Sequence, residues 1–281
     1  MSRTPPNELA EPPAAMLDAL TQLMPGWQRA DVRSARYLSG GYSNENYAFD
    51  YQGERYVLRL PNRRRPYVDR VRELAFLESQ SPLRRPELVA FDTASGQMLT
   101  RFVSGPLLSE VEPEIRALAD YLSRLHRALP PGGRRYDPTA LSREFLSNST
   151  QPAIIESLLT GFFWKPLHVT GCHNDLNPWN VILPESGPWV TLDWEWYGDN
   201  DPLFDVVTLH QGLGLNDDSL RELLPGWSRR TVGAEELRDC QIAFWLREYA
   251  WAYAEQAHGN NRPEISEQRT TALSRLDALT S

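Results

Sequence analysis

Cys172-His173-Asn174-Asp175-Leu176-Asn177-Pro178-Trp179-Asn180, followed by Val190-Thr191-Leu192-Asp193-Trp194-Glu195, decides how this chain is read. An aspartate stands five positions before an asparagine (180 − 175 = 5), and a second aspartate closes an apolar run. Taken singly, these are turn residues: Asp and Asn bond their own backbone and Pro presets it, so Asn174-Asp175 or Asn177-Pro178 alone says little. Turn chemistry does not explain the ordered set His173, Asp175, Asn180 and Asp193. Its spacing is that of the catalytic loop H-x-D-L-x-x-x-N and the later D-x-x metal motif of phosphoryl transfer. That chemistry needs one carboxylate to orient the attacking hydroxyl. It also needs an Asn and a second carboxylate to hold Mg²⁺ on the phosphates. The spacing gives these roles to Asp175, Asn180 and Asp193 in turn, and leaves His173 a loop-locking hydrogen bond.

Outward from this motif, two short apolar runs, 181–183 and 189–192, flank Pro184-Glu185-Ser186-Gly187-Pro188 and predict a hairpin. Such a hairpin leaves Asn180 and Asp193 together at its open end. Upstream, Leu17, Leu20 and Leu23 predict a helix over 14–23. Strands are expected at 34–38, 47–51 and 55–60, with Gln52-Gly53 as a tight turn and Tyr56, Leu58 and Leu60 on one face. A helix over 68–78, a strand pair at 87–91 and 98–103, and a helix from Glu112 through Ile115, Leu118, Leu122 and Leu125 complete the pattern. Residues 130–152 read as loop-rich. The fold class is therefore α+β. It is divided into a Pro-rich flexible tail (1–13), a strand-rich nucleotide-binding lobe (14–103) and a mainly helical catalytic and substrate lobe (104–281), with a cleft expected between the lobes.

A phosphoryl-transfer site also needs a cation for the nucleotide phosphates. The only lysine, Lys165, lies far from the predicted strands, whereas Tyr56-Val57-Leu58-Arg59 places Arg59 on one. A guanidinium is always charged and grips phosphate oxygens bidentately. Glu73 in the following helix is its expected partner. Gly40-Gly41-Tyr42-Ser43-Asn44 precedes a strand where a phosphate-covering loop belongs. There Gly40 and Gly41 permit close backbone approach, and Ser43 and Asn44 add hydrogen bonds.

Composition narrows the partners. The 281 residues are 41% hydrophobic with a net charge of −8, the opposite of what nucleic acid selects and compatible with a cationic substrate. The two cysteines form no metal-binding spacing. No export signal or run of 18 apolar residues is visible, so a cytoplasmic protein without membrane attachment is expected.

These motifs resemble the aminoglycoside phosphotransferase/choline kinase superfamily, and within it most nearly bacterial choline kinases of the LicA type. The resemblance covers about residues 38–257. It rests on Gly40-Gly41-Tyr42-Ser43-Asn44-Glu45-Asn46-Tyr47, Tyr56-Val57-Leu58-Arg59-Leu60-Pro61, Val68-Asp69-Arg70 with Glu73, the loop of Asp175 and Asn180, and Asp193-Trp194-Glu195-Trp196-Tyr197-Gly198 through Asp205. It implies a bilobal protein-kinase-like fold with a small antiparallel-sheet N-lobe and a larger, mainly helical C-lobe. It also implies ATP and Mg²⁺ as cofactors, and an arginine in place of the usual strand lysine. Asp205 becomes the helix aspartate that braces the catalytic loop. The backbone of Arg101, Phe102 and Val103 becomes the hinge that binds adenine.

The acceptor is expected to be recognised elsewhere. A quaternary ammonium cannot donate a hydrogen bond and is held by aromatic faces and carboxylates. Trp245, Glu248 and Tyr249 share a helix face by i, i+3, i+4 spacing, and Trp251 follows Glu248 by three. Family choline kinases carry W-x-x-W here. Trp251 fits the second position, but Glu248 occupies the first. Glu195 and Trp196, just after the metal aspartate, are further candidates for the acceptor pocket. The expected activity is phosphorylation of choline or a related amino alcohol. Thiamine or an aminoglycoside is the alternative acceptor, and an inactive nucleotide-binding module the alternative function. No A-P-E segment marks a protein kinase.

Overall fold

The computed structural model describes residues 9, 11–38, 44–63, 65–147, 149–228 and 230–281. Gly40, Gly41 and Ser43 lie outside the described residues. In chain order the elements begin α1 (Ala14–Leu23), β1 (Val32–Leu38), β2 (Asn44–Tyr51), β3 (Glu54–Pro61), α2 (Arg70–Glu78), β4 (Leu88–Phe91) and β5 (Met98–Arg101). They continue with α3 (Ile115–Ala128), α4 (Pro138–Phe145), α5 (Ala153–Gly161), β6 (Thr170–Cys172), β7 (Val181–Ile182), β8 (Val190–Thr191) and β9 (Gly198–Asn200). The last four are α6 (Leu203–Gly212), α7 (Asp217–Trp227), α8 (Ala234–Ala257) and α9 (Pro263–Thr280). Two compact units result: Met1–Val111 with Trp179–Glu195, and Glu112–Pro178 with Trp196–Ser281.

The first unit is built on a five-stranded antiparallel sheet of order β1-β2-β3-β5-β4. Gln52 and Gly53 both take positive φ, 51° and 82°. That left-handed pair matches the twist of a two-residue hairpin and sets Tyr51 opposite Glu54. Alternation then sends Phe49, Tyr56, Leu58 and Leu99 into one core with Met16, Ala19 and Leu20 of α1. The Asp69 side chain caps α2 by accepting from the backbone amides of Val71 and Arg72. Residues 179–195 join this unit through backbone pairing that the hydrophobic pattern does not announce. Leu107 bridges Ile182, and Leu183 N donates to Pro106 O at 2.9 Å.

In the second unit α3 buries Leu118, Leu122 and Leu125. From Ile242 to Glu255 α8 is buried nearly all round, and the helix packs against α9, α4 and α6. α4 corrects the loop-rich reading of residues 130–152. Asp137 caps it, and Pro138 stands at its first turn. Both are helix-start signals, but the helix is too short to show a period. β6 and β9 pair antiparallel, with Cys172 opposite Gly198. Among the described residues no helix is long and apolar enough to cross a membrane.

Candidate active site

The candidate residues divide between the two units. In the first, Arg59 sits in the middle strand of the sheet, opposite Asn46 of β2 and Met98 of β5. Its Nη1 donates to Glu73 Oε1 at 2.6 Å and its Nη2 to Glu73 Oε2 at 3.1 Å, a fork-on-fork contact. Nη1 also lies 3.2 Å from Asp193 Oδ1, and Nη2 donates to the Gly96 carbonyl at 3.3 Å. Arg70 adds a second cation: its Nη1 donates to Glu73 Oε2 at 2.7 Å and to Glu195 Oε2 at 2.9 Å.

Two guanidiniums thus meet three carboxylates, a formal balance of +2 − 3 = −1. Burial by itself lowers the pKa of Arg59, but Glu73, Asp193 and Glu195 outweigh it and hold the group above its ordinary value. Burial by itself raises Glu73, and Arg59 with Arg70 overcome that, keeping it below the ordinary 4.5. Both groups are therefore charged at neutral pH.

β7 and β8 form the expected hairpin, with Val181 opposite Thr191 and Ile182 opposite Val190. Leu192 N donates to Asn180 O at 2.8 Å, which sets Asn180 and the residue before Asp193 together at the open end. Asp193 takes a left-handed φ of 56°, a conformation Asp adopts more readily than bulkier residues. The next residue anchors it. The buried Trp194 ring packs 4.6 Å from Phe76 of α2, and its Nε1 donates to Thr191 O at 3.1 Å.

Asn180 and Asp193 supply hard oxygen donors, and Mg²⁺ is commonly held by one or two such groups together with substrate phosphates rather than by an all-protein cage. The described residues hold no cluster of three His, Cys, Asp or Glu able to form such a cage. Among them the buried Glu195 Oε1 lacks a hydrogen-bond partner, an orphan oxygen that suits a cation. The residues present fit the metal that the motif implies.

Asn44 is buried at the start of β2, opposite Pro61. At the expected hinge, Arg101 N donates to Glu87 O and Phe102 N to Arg55 O, each at 2.9 Å. The Arg101 side chain is engaged by the Tyr56 hydroxyl at 2.9 Å and by Glu54 at 3.1 Å, so it points to structure rather than to a ligand.

In the second unit the loop carrying Asp175 is held from several sides. Asn174 takes φ of 64°. Its Nδ2 donates to the carbonyls of Cys172, Trp196 and Gly198 at 3.2, 3.0 and 3.2 Å, and its Oδ1 accepts from Asn200 Nδ2 at 3.0 Å. Asp205 of α6 accepts from the backbone amides of His173 and Asn174 at 2.9 and 2.7 Å, which is the brace expected of it. His126 Nε2 lies 3.0 Å from the same carboxylate, and Trp227 Nε1 donates to His126 Nδ1 at 2.9 Å. Indole only donates, so Nδ1 accepts and the ring proton is on Nε2, pointing at Asp205.

Asp175 Oδ1 accepts from Asn177 Nδ2 at 3.1 Å and from Arg247 Nη1 at 3.0 Å. The same Nη1 lies 3.0 Å from Glu248 Oε1. Glu248 also accepts from Gln268 of α9. Burial pushes the Glu248 carboxyl above its ordinary value, with Arg247 opposing. Tyr249 donates its hydroxyl to Gln151 Oε1 at 2.8 Å, and Trp251 is buried. Trp196 is buried against Tyr136, ring centroids 6.2 Å apart.

Arg247, Asn174, His126 and Trp227 were not legible as site residues. Arg247 left a trace, one position from Glu248 on a helix already singled out, and Asn174 stood inside the quoted motif beside Asp175. His126 and Trp227 act through contacts between distant segments.

The sequence pattern of the phosphotransferase enzyme family matches residues 34–239, well over half of the chain. The chain belongs to that family. This phosphotransferase is 27% identical to protein LicA of Haemophilus influenzae over 271 residues, covering 85% of this chain and 77% of that one. The choline kinase LicA of Streptococcus pneumoniae has a similar crystal structure, with a TM-score of 0.73 at 18% identity over 88% of this chain and 94% of that one. A LicA structure in complex with AMP gives a TM-score of 0.70 at 18% identity over 88% of this chain and 92% of that one. The fold is accordingly the α+β protein-kinase-like fold.

Proposed function

We propose that this phosphotransferase moves the γ-phosphoryl group of ATP to the hydroxyl of a small cationic acceptor, choline or a related amino alcohol. The observation that carries the reading is the buried fork of Arg59 on Glu73 with Asp193 Oδ1 3.2 Å from the same guanidinium. A strand cation bonded to a helix carboxylate, usually a lysine, is the arrangement that serves nucleotide phosphates in phosphoryl transfer, and Arg59 with Glu73 would fill it here. Asn44, with Gly40, Gly41 and Ser43, would cover those phosphates. The backbone at Arg101, Phe102 and Val103 would take the adenine through groups other than the Arg101 and Phe102 amides, which already donate to Glu87 and Arg55. Asn180 and Asp193 would hold Mg²⁺, which neutralises charge on the phosphates. Asp175 would orient the acceptor hydroxyl and receive its proton. Glu195, Trp196, Glu248, Tyr249 and Trp251 would shape the acceptor side. The likeness to the choline kinase LicA of Streptococcus pneumoniae and the net charge of −8 support a cationic amino alcohol, and an enzyme of that kind would work in the cytoplasm with ATP.

The test is direct. Purified protein with Mg²⁺ and ATP is offered choline, ethanolamine, thiamine and several aminoglycosides, with product read by mass. Phosphocholine with wild type, and a loss of about 10³-fold or more in an Asp175→Asn variant that still unfolds cooperatively on heating, is the expected result. Turnover of thiamine or an aminoglycoside alone would move the acceptor. No product from any acceptor would weaken the enzyme reading, and ATP binding without turnover would favour an inactive nucleotide-binding module.

A further inference from the structure

We infer that Arg247 is the positioning residue for Asp175: through it, α8 takes part in phosphoryl transfer by fixing the carboxylate that orients the acceptor, and Glu248 serves that fixing by holding Arg247. The inference rests on the role proposed for Asp175.

Three observations carry it. First, the contact is specific. Arg247 reaches Asp175 Oδ1 at 3.0 Å with Nη1, and its Nη2 donates to the carbonyl of Asn174 at 3.4 Å, so one guanidinium touches both the side chain and the backbone just before it. Asn177 Nδ2 donates to the same Oδ1 at 3.1 Å. Two donors on one oxygen fix the rotation of the carboxylate as well as its position.

Second, the guanidinium is itself immobilised. It is buried, it lies 5.8 Å from the Phe204 ring centroid and 5.9 Å from that of Phe244, and Glu248 holds it at 3.0 Å. Glu248 is in turn bonded by Gln268, so the chain of contacts runs Gln268, Glu248, Arg247, Asp175 and ties α9 to the catalytic loop. Burial by itself lowers the pKa of Arg247, and Glu248 and Asp175 among its neighbours overcome it, so the group stays charged.

Third, the chemistry selects arginine. A planar fork can bond two carboxylates and a carbonyl at once, whereas an ammonium on a flexible stem cannot hold that geometry. Glu248, engaged by Arg247 and Gln268, then acts at the site through the clamp.

The experiment compares wild type, Arg247→Lys, Arg247→Ala and the double variant Arg247→Met with Glu248→Gln. The double variant removes one buried cation together with one buried anion, so it keeps its fold if Arg247→Ala does not. Turnover is measured with saturating ATP and choline, or whichever acceptor of the panel gives product. A catalytic group displaced by about 1 Å loses on the order of 100-fold in rate. The expected result is a fall of about that size in kcat with KM for ATP within threefold of wild type. Arg247→Lys should lie between, and added guanidinium ion should recover part of the Arg247→Ala rate where urea does not. A folded double variant with kcat within about threefold of wild type overturns the inference, as does a loss confined to KM for the acceptor. Asp175→Asn separates the two claims. If it is inactive while the Arg247 variants are not, only this inference fails. If it turns over fully, or wild type phosphorylates nothing, the assignment of Asp175 fails and this inference falls with it.

Discussion

Glu73→Gln removes one carboxylate from the buried cluster of the first unit while keeping the size of the side chain. Glu73 accepts three N–H bonds, from Arg59 Nη1 and Nη2 and from Arg70 Nη1, at 2.6, 3.1 and 2.7 Å. A glutamine offers one acceptor oxygen and turns an NH₂ donor toward arginine donors. Hydrogen bonds to charged groups contribute roughly 1.5–3 kcal/mol each, and losing one partner of a buried ion pair costs about 3–5 kcal/mol. Arg59 keeps Asp193 and the Gly96 carbonyl, and Arg70 keeps Glu195, so the low end applies, about 3 kcal/mol. In proteins of 150–250 residues each kcal/mol moves Tm by roughly 2–4 °C, which gives a fall of about 6–12 °C at pH 7.

The pH dependence supplies a second mark. The folded-state pKa of Glu73 lies below the ordinary 4.5. The stability it contributes is therefore fully present above pH 4.5 and is lost as pH falls through the folded value. Thermal melts of both proteins followed by circular dichroism should show the full gap at pH 6–7 and a closing gap below pH 4.5. A gap under about 2 °C at pH 7 is less than 1 kcal/mol on the same scale and refutes the energetic reasoning. A gap that stays constant below pH 4.5 refutes the assignment of charge to Glu73.

Gly171→Ala would bring a Cβ to 1.9 Å from the Pro130 carbonyl oxygen, backbone against backbone, and should cost about 3 kcal/mol in urea unfolding. Trp227→Phe deletes the donor to His126 Nδ1 and should cost about 1 kcal/mol by the same measurement. Cys172 and Cys240 are wholly buried and burial pushes both thiols well above 9.0, so neither should react with iodoacetamide at pH 8 until the chain is unfolded, when both should. Mass spectrometry of the alkylated protein counts them.

The local chemistry was readable from residues alone because it is carried by neighbours in the chain. The period of Leu17, Leu20 and Leu23 gave α1, Gln52-Gly53 gave the β2–β3 turn, and the Pro-bounded segment between Asn180 and Asp193 gave β7 and β8. The same locality marked Arg59 and Glu73 as partners, one on a strand and one on the helix after it, and the structure brings them to 2.6 Å. α4 escaped because eight residues are too few to display a period, although its Asp137-Pro138 start was present.

What the tertiary structure alone decided is which distant polar and charged groups meet within each unit. Arg70 reaches Glu195 across 125 positions, Arg247 reaches Asp175 across 72, and Trp227 reaches His126 across 101. No spacing rule carries those distances. Burial removes the water that would otherwise solvate each charge, so each must find a partner wherever the packed elements place one. The sequence by itself settled that an Asp, Asn, Asp phosphoryl-transfer motif is present and on what local elements it sits. Folding settled which arginines and carboxylates hold that motif in place.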